Sequence, residues 1–298
     1  MLARAMRFSG TYTALITPFR DGAVDAPAFK SLIERQIAGG VDGIVPCGTT
    51  GESPTLDTTE HLDVIRLAVE FADGRCEVLA GTGANSTAEA IELTESAEEL
   101  GATGSLQVCP YYNKPSQEGL YRHFKAIAES TELPIMLYSV PGRAVIEISP
   151  ETTARLAADF PNIIAIKEAG GSVDRVNQLV QALPENFGIL CGDDPLTLPF
   201  ISCGATGLVS VASNLIPDVI ARLVRACLNG SFDEALVIQK RYYPLMRGLM
   251  SLDVNPVPIK TAVALQGHCT TEFRLPLVPM DADRTAKLTA LLESFSLI

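Results

Sequence analysis

No two of the seven cysteines stand at CxxC spacing, and their number is odd. That pattern supports neither a disulfide framework nor a thiolate zinc site. Cys47, Cys109 and Cys191 each close an apolar run, where a thiol behaves as a small buried hydrophobe, so reduced cysteines in a cytoplasmic protein are expected. The three histidines, His61, His123 and His268, are too scattered to suggest a metal site and are expected on helix or loop surfaces. Basic charge is also short. A net charge of −12 leaves no footprint for nucleic acid or an anionic membrane. No apolar run approaches the ~20 residues of a membrane span. The opening MLARAMRFSG has basic residues with no apolar stretch behind them, so no secretory signal is expected. No GxGxxG follows the first strand-like run, and GTGAN at 81–85 lacks that spacing, which removes the dinucleotide fingerprint. Low-complexity tracts and linker-like stretches are missing too.

What is present is an alternation of apolar runs and helical segments within 298 residues of 47% hydrophobic composition, ample for a full core. The runs are 12–17, 43–47, 77–80, 105–109, 134–140, 163–167, 187–191 and 206–211. Helical spacing falls between them at 26–38, 58–72, 87–100, 117–130, 151–158, 173–183 and 195–201. Eight β-plus-α units at a pitch of roughly 20 to 30 residues predict a closed (β/α)₈ TIM barrel, with an open doubly wound sheet as the competitor. Beyond residue 211 only helical patterns follow, at 217–228, 232–250, 258–265 and 282–295. The expected division is therefore a barrel over 1–225 and a helical extension over 226–298 packed on it as one unit.

Barrels of this type work at the C-terminal ends of their strands. The central stretch there is NIIAIKEAG, 162–170, a β-branched run with Lys167 at its end. Lys167 is either a paired or snorkelling lysine or a desolvated amine able to attack a carbonyl. By strand alternation Glu168 faces the opposite side and is no obvious partner for it. GTTGES, 48–53, offers close backbone approach and the hydroxyls of Thr49 and Thr50 to an anion, or else is a turn capping the next helix. Tyr138 could carry protons for a lysine one strand away, or could be a core tyrosine. Arg143 follows a Pro-Gly turn and could clamp a carboxylate, or form a surface ion pair. Tyr111 and Tyr112, in a proline-flanked loop, suit an interface or a lid. Together these residues suit a keto acid held as a Schiff base.

The strings GTTGES, GTGAN, PYYNKPSQEGLYRHF, YSVPGR, IKEA and GDD, in this order and spacing, resemble the dihydrodipicolinate synthase family over nearly the whole chain. That family belongs to the pyruvate-dependent class I aldolases, which include N-acetylneuraminate lyase. The resemblance implies a lyase of lysine and diaminopimelate biosynthesis, cytoplasmic, with no cofactor beyond a covalent Schiff base on Lys167 and no metal. Pyruvate would be the first substrate and L-aspartate 4-semialdehyde the second. Thr50 would hold the pyruvate carboxylate, and Tyr138, Thr49 and Tyr112 would relay protons. Tyr112 would reach in from a neighbouring subunit of a homotetramer of tight dimers. Arg143 would bind the second substrate's carboxylate, and Gly192 and Val209 would line the pocket through backbone atoms. Ser53, His61, Asn85, Glu89 and Tyr111 match the family's lysine feedback site. Pro54 and Thr58 depart from the alanine and histidine of lysine-inhibited bacterial enzymes. Ser139 replaces the asparagine of the family's YNVPxR, on the face away from Tyr138. A sibling lyase for longer keto acids, and a catalytically dead barrel kept for binding, are the competing functions. Arg143 speaks against the first and the intact residue set against the second.

Overall fold

The computed structural model describes residues 8–298; the expectation about the first residues, 1–7, lies outside them. Eight parallel strands close into a barrel: β1 (Gly10–Ala14), β2 (Gly43–Val45), β3 (Glu77–Gly81), β4 (Gly104–Val108), β5 (Ile135–Ser139), β6 (Ile163–Glu168), β7 (Gly188–Cys191) and β8 (Gly207–Ser210). Each pairs with its neighbours in chain order, and β8 closes onto β1. Around it stand α1 (Ala26–Ala38), α2 (Thr58–Ala72), α3 (Thr87–Glu99), α4 (Gln117–Ala128), α5 (Pro150–Asp159), α6 (Val173–Ala182), α7 (Thr197–Ser202) and α8 (Pro217–Leu228). Three further helices follow, α9 (Phe232–Ser251), α10 (Val257–Leu265) and α11 (Ala282–Ser294). The expected junction at 225/226 falls inside α8, and one hydrophobic core runs from Phe8 through Leu208 to Leu292.

The barrel follows from the sequence pattern. Strands buried on both faces carry apolar residues at successive positions, inside against the barrel layers and outside against helices. β6 is buried at all six positions, which is why its glutamate needs polar partners. Several helices begin where an Asp or Ser side chain accepts a first-turn N–H, as Asp25, Asp57, Ser116, Ser149 and Ser172 do.

Two differences from the sequence pattern have physical causes. β1 starts and ends earlier than the apolar run at 12–17, because Leu15 N–H donates to Val45 O where β2 ends and no strand lies beside the rest. A short two-stranded ribbon, Phe19–Arg20 with Ala23–Val24, was not expected. Its turn residues Asp21 and Gly22 both have positive φ, 53° and 81°, which suits a tight hairpin.

Candidate active site

The strand register puts Tyr138 of β5 level with Lys167 of β6. Both side chains enter the C-terminal mouth of the barrel. The Lys167 Nζ lies 4.1 Å from the centroid of the Tyr138 ring, and each residue is 7% exposed. An amine so placed is largely stripped of water and has no carboxylate against it among the hydrogen bonds of the site. Glu168 faces outward, as alternation requires. Its fully buried carboxylate accepts Arg175 Nε and Gly170 N–H, both at 2.7 Å. Burial holds that carboxyl above its usual range, and Arg175 opposes the shift.

Above Lys167 is a cavity of about 130 Å³ whose lining includes Thr49, Thr50, Tyr138, Arg143, Gly192 and Asp193. It shares Thr49, Tyr138 and Arg143 with a neighbouring cavity of about 220 Å³ that extends to Ser53 and Tyr111. Gly192 is required by space: a Cβ there would stand 2.6 Å from Ala169 Cβ and 3.1 Å from Lys167 Cε. The next residue, Asp193, faces the cavity, and burial raises its carboxyl against the pull of Arg247. Asp194 is structural. It accepts the Ser210 hydroxyl and the N–H groups of Val211 (2.9 Å) and Ala212 (3.1 Å), which fixes the end of β8.

The loop Gly48–Ser53 makes a single turn, with Gly51 N–H donating to Gly48 O at 3.0 Å. It then passes through Glu52 in the left-handed region, φ 58°. That strained, buried residue is held by Lys260 Nζ at 2.7 Å and Arg274 N–H at 3.2 Å. The Thr50 hydroxyl accepts Asn255 Nδ2 at 3.0 Å, and Asn255 O accepts Arg143 Nη2 at 2.9 Å. One residue of the C-terminal extension therefore fixes two groups at the mouth.

Lys167, Tyr138, Thr49, Thr50, Arg143 and Gly192 are brought together as the sequence suggests. Tyr112 is not: it is 90% exposed, in the left-handed region at φ 74°, and outside both cavities. Val209 lies deeper, level with Tyr12, and the lining residue at this position of the barrel is Val211, just past the end of β8. Tyr111 and Ser53 line the larger cavity, and Asn85 Nδ2 donates to Tyr111 O at 3.2 Å. Partial burial and the Glu89 carboxylate raise the Tyr111 hydroxyl. His61 and His123 are buried, contrary to expectation, because each sits on the apolar stripe of its helix beside residues three and four places away. His61 Nε2 lies 2.8 Å from Gly81 O. Ser139 is buried away from the cavity, and its Oγ has no hydrogen-bond partner within the protein. All seven cysteines are free, and burial lifts the Cys109 thiol to about 12. Among the described residues, no three His, Cys, Asp or Glu side chains gather as metal ligands.

Asn255 and Lys260 escaped the sequence reading. The one available signal was NPVPIK, 255–260, a proline-flanked break between two helical patterns.

A sequence model of the Dihydrodipicolinate synthetase family matches residues 7–295. The chain is 52% identical over 292 residues to the 4-hydroxy-tetrahydrodipicolinate synthase of Persephonella marina, covering 98% of this chain and 99% of that one. It is similar to the solved structure of the 4-hydroxy-tetrahydrodipicolinate synthase from Methylacidiphilum fumariolicum SolV, with a TM-score of 0.96, 54% identity, and coverage of 97% and 96%. A lysine-bound structure of the Cyanidioschyzon merolae enzyme matches with a TM-score of 0.94 at 40% identity, covering 98% of this chain and 99% of that one.

Proposed function

The chain belongs to the dihydrodipicolinate synthetase family, and from that premise we propose that it condenses pyruvate with L-aspartate 4-semialdehyde through a Schiff base on Lys167. The reaction is that of a lyase and yields 4-hydroxy-tetrahydrodipicolinate, for diaminopimelate and lysine biosynthesis in the cytoplasm. The observation that carries this reading is the Lys167 amine over the Tyr138 ring, under a cavity that Thr49, Thr50 and Arg143 also line.

Each residue has a definite task. The Lys167 amine attacks the keto carbon of pyruvate, and loss of water leaves an imine. Tyr138 moves the protons of that step and of the imine's conversion to an enamine. Thr49 continues the proton path, and Tyr112 of a neighbouring subunit ends it. Thr50, its hydroxyl oriented by Asn255, binds the pyruvate carboxylate. Arg143 binds the carboxylate of the semialdehyde with its planar fork. The enamine carbon then attacks the aldehyde. The semialdehyde's amine attacks the imine carbon, closing the ring and releasing Lys167. Gly192 contributes backbone atoms to the pocket. No cofactor is needed for these steps, because the imine supplies the electron sink.

Pyruvate with borohydride will fix a covalent adduct on Lys167 and on no other lysine, as read by peptide mass spectrometry. Lys167→Ala will lose both the adduct and turnover in a coupled assay with the two substrates. Equal labelling of that variant would overturn the mechanism.

Feedback by lysine is proposed for the site that the resemblance gives as Ser53, His61, Asn85, Glu89 and Tyr111, with His61 buried beneath it. Support comes from the cavity that joins Ser53 and Tyr111 to the mouth, and from the Asn85–Tyr111 contact beside it. Titration calorimetry with millimolar lysine will give binding heat; its absence ends the idea.

A further inference from the structure

Arg175 touches two segments on which the chemistry proposed above depends. It is 8% exposed, on α6 behind the catalytic strand. Its Nε donates to Glu168 at 2.7 Å, and its Nη2 donates to the carbonyl of Ile148. Glu168 follows Lys167 in the chain. Ile148 ends the segment that leaves the short helix Pro141–Ala144, which carries Arg143. That segment bends sharply at Val145, φ 69°, a β-branched residue in the left-handed region, and the bend persists only if its surroundings hold it. The second anchor is Gln117, at the start of α4. Its Nε2 donates to Glu147 O at 2.9 Å, and its Oε1 accepts Ser149 N–H at 3.0 Å. Glu147, Ile148 and Ser149 are thus fastened from two sides, by side chains that reach no substrate.

We propose that Arg175 and Gln117 are positioning residues for the second substrate: they hold the backbone on which the Arg143 guanidinium rides. The inference rests on the reading of Arg143 as the carboxylate clamp. The plainer role for Arg175 is to neutralise a buried glutamate, which affects stability alone. The two roles separate at the guanidinium. A lysine at 175 still offers one charge to Glu168 but has no second fixed branch for the Ile148 carbonyl. A clamp that has lost its setting by even a fraction of an ångström binds its substrate less well, while the pyruvate half of the site is untouched.

The test measures steady-state constants for both substrates, with borohydride trapping of pyruvate in parallel. Arg175→Lys is expected to raise KM for the semialdehyde about fivefold, with KM for pyruvate and the trapping rate unchanged within about twofold. Gln117→Ala, at an exposed position away from the buried pair, is expected to give the same split at about two- to threefold. Gln117→Ala decides the matter if Arg175→Lys folds poorly. A lower melting temperature with both KM values at wild-type level overturns the proposal, and so does a parallel rise in the two. Trapping on the wild-type protein reports on Lys167 separately, so a failure of the Schiff-base reading is distinguishable from a failure of the clamp.

Discussion

His123 illustrates what burial does to a single residue. Its ring is 6% exposed, Nδ1 lies 2.9 Å from Thr87 Oγ1, and Nε2 has no partner. Burial pulls its pKa from 6.5 down to about 4. The folded chain therefore keeps the ring neutral while the unfolded chain takes up a proton below pH 6.5. Stability is full above that pH, falls as pH drops from 6.5 to about 4, and the loss amounts to about 3 kcal/mol. His61 is shifted in the same direction by burial, against its bond to Gly81 O. Melting curves across pH 4–7 will show a shallower slope for His123→Leu than for wild type. Parallel slopes would mean that the imidazole is not a source of the acid loss.

At the scale of elements, the decisive link joins α10 to the loop after β2. Lys260 and Glu52 are 0% and 1% exposed at their side chains and 2.7 Å apart. The Lys260 ammonium also lies over the rings of Phe19 and Phe273, at 4.1 and 4.9 Å. Removing one partner leaves a buried charge uncompensated. Lys260→Met is expected to cost about 3–5 kcal/mol in denaturant unfolding. Lys260→Met with Glu52→Gln is expected to recover most of that loss. If the double variant is no more stable than the single one, the pair does not couple. Because Glu52 carries the left-handed turn after Thr49 and Thr50, the same pair holds the loop that presents those two hydroxyls to the cavity in shape.

The whole molecule raises the question of Tyr112. A tyrosine 90% exposed in a left-handed loop conformation is poorly explained by one chain and well explained by a second copy receiving it. A homotetramer built from tight dimers, each mouth completed by the partner's loop, is our proposal for the assembly. Light scattering on a sizing column will report four chains. Tyr112→Phe and Lys167→Ala are each expected to be inactive alone and to regain activity when co-expressed, since one mixed site then holds both native side chains. Full activity of Tyr112→Phe, or no regain, removes the shared site.

The strands and helices were legible because apolar period and capping residues act over a few positions. The eight-fold alternation then fixed the barrel, and the barrel fixed which strand ends face the mouth. Lys167, Tyr138, Thr49, Thr50 and Arg143 could thus be assigned to one site from sequence alone, with the role of each sharpened by the family strings. Burial of His61 and His123 and the turn at Asp21–Gly22 have local causes, the apolar stripe of each helix and an Asp-Gly turn, whereas the Asn255 bridge and the Glu52–Lys260 pair were decided elsewhere. The last two join residues about 200 positions apart, and no local periodicity carries information over that distance. Only closure of the barrel and docking of the C-terminal helices bring those partners within hydrogen-bonding reach.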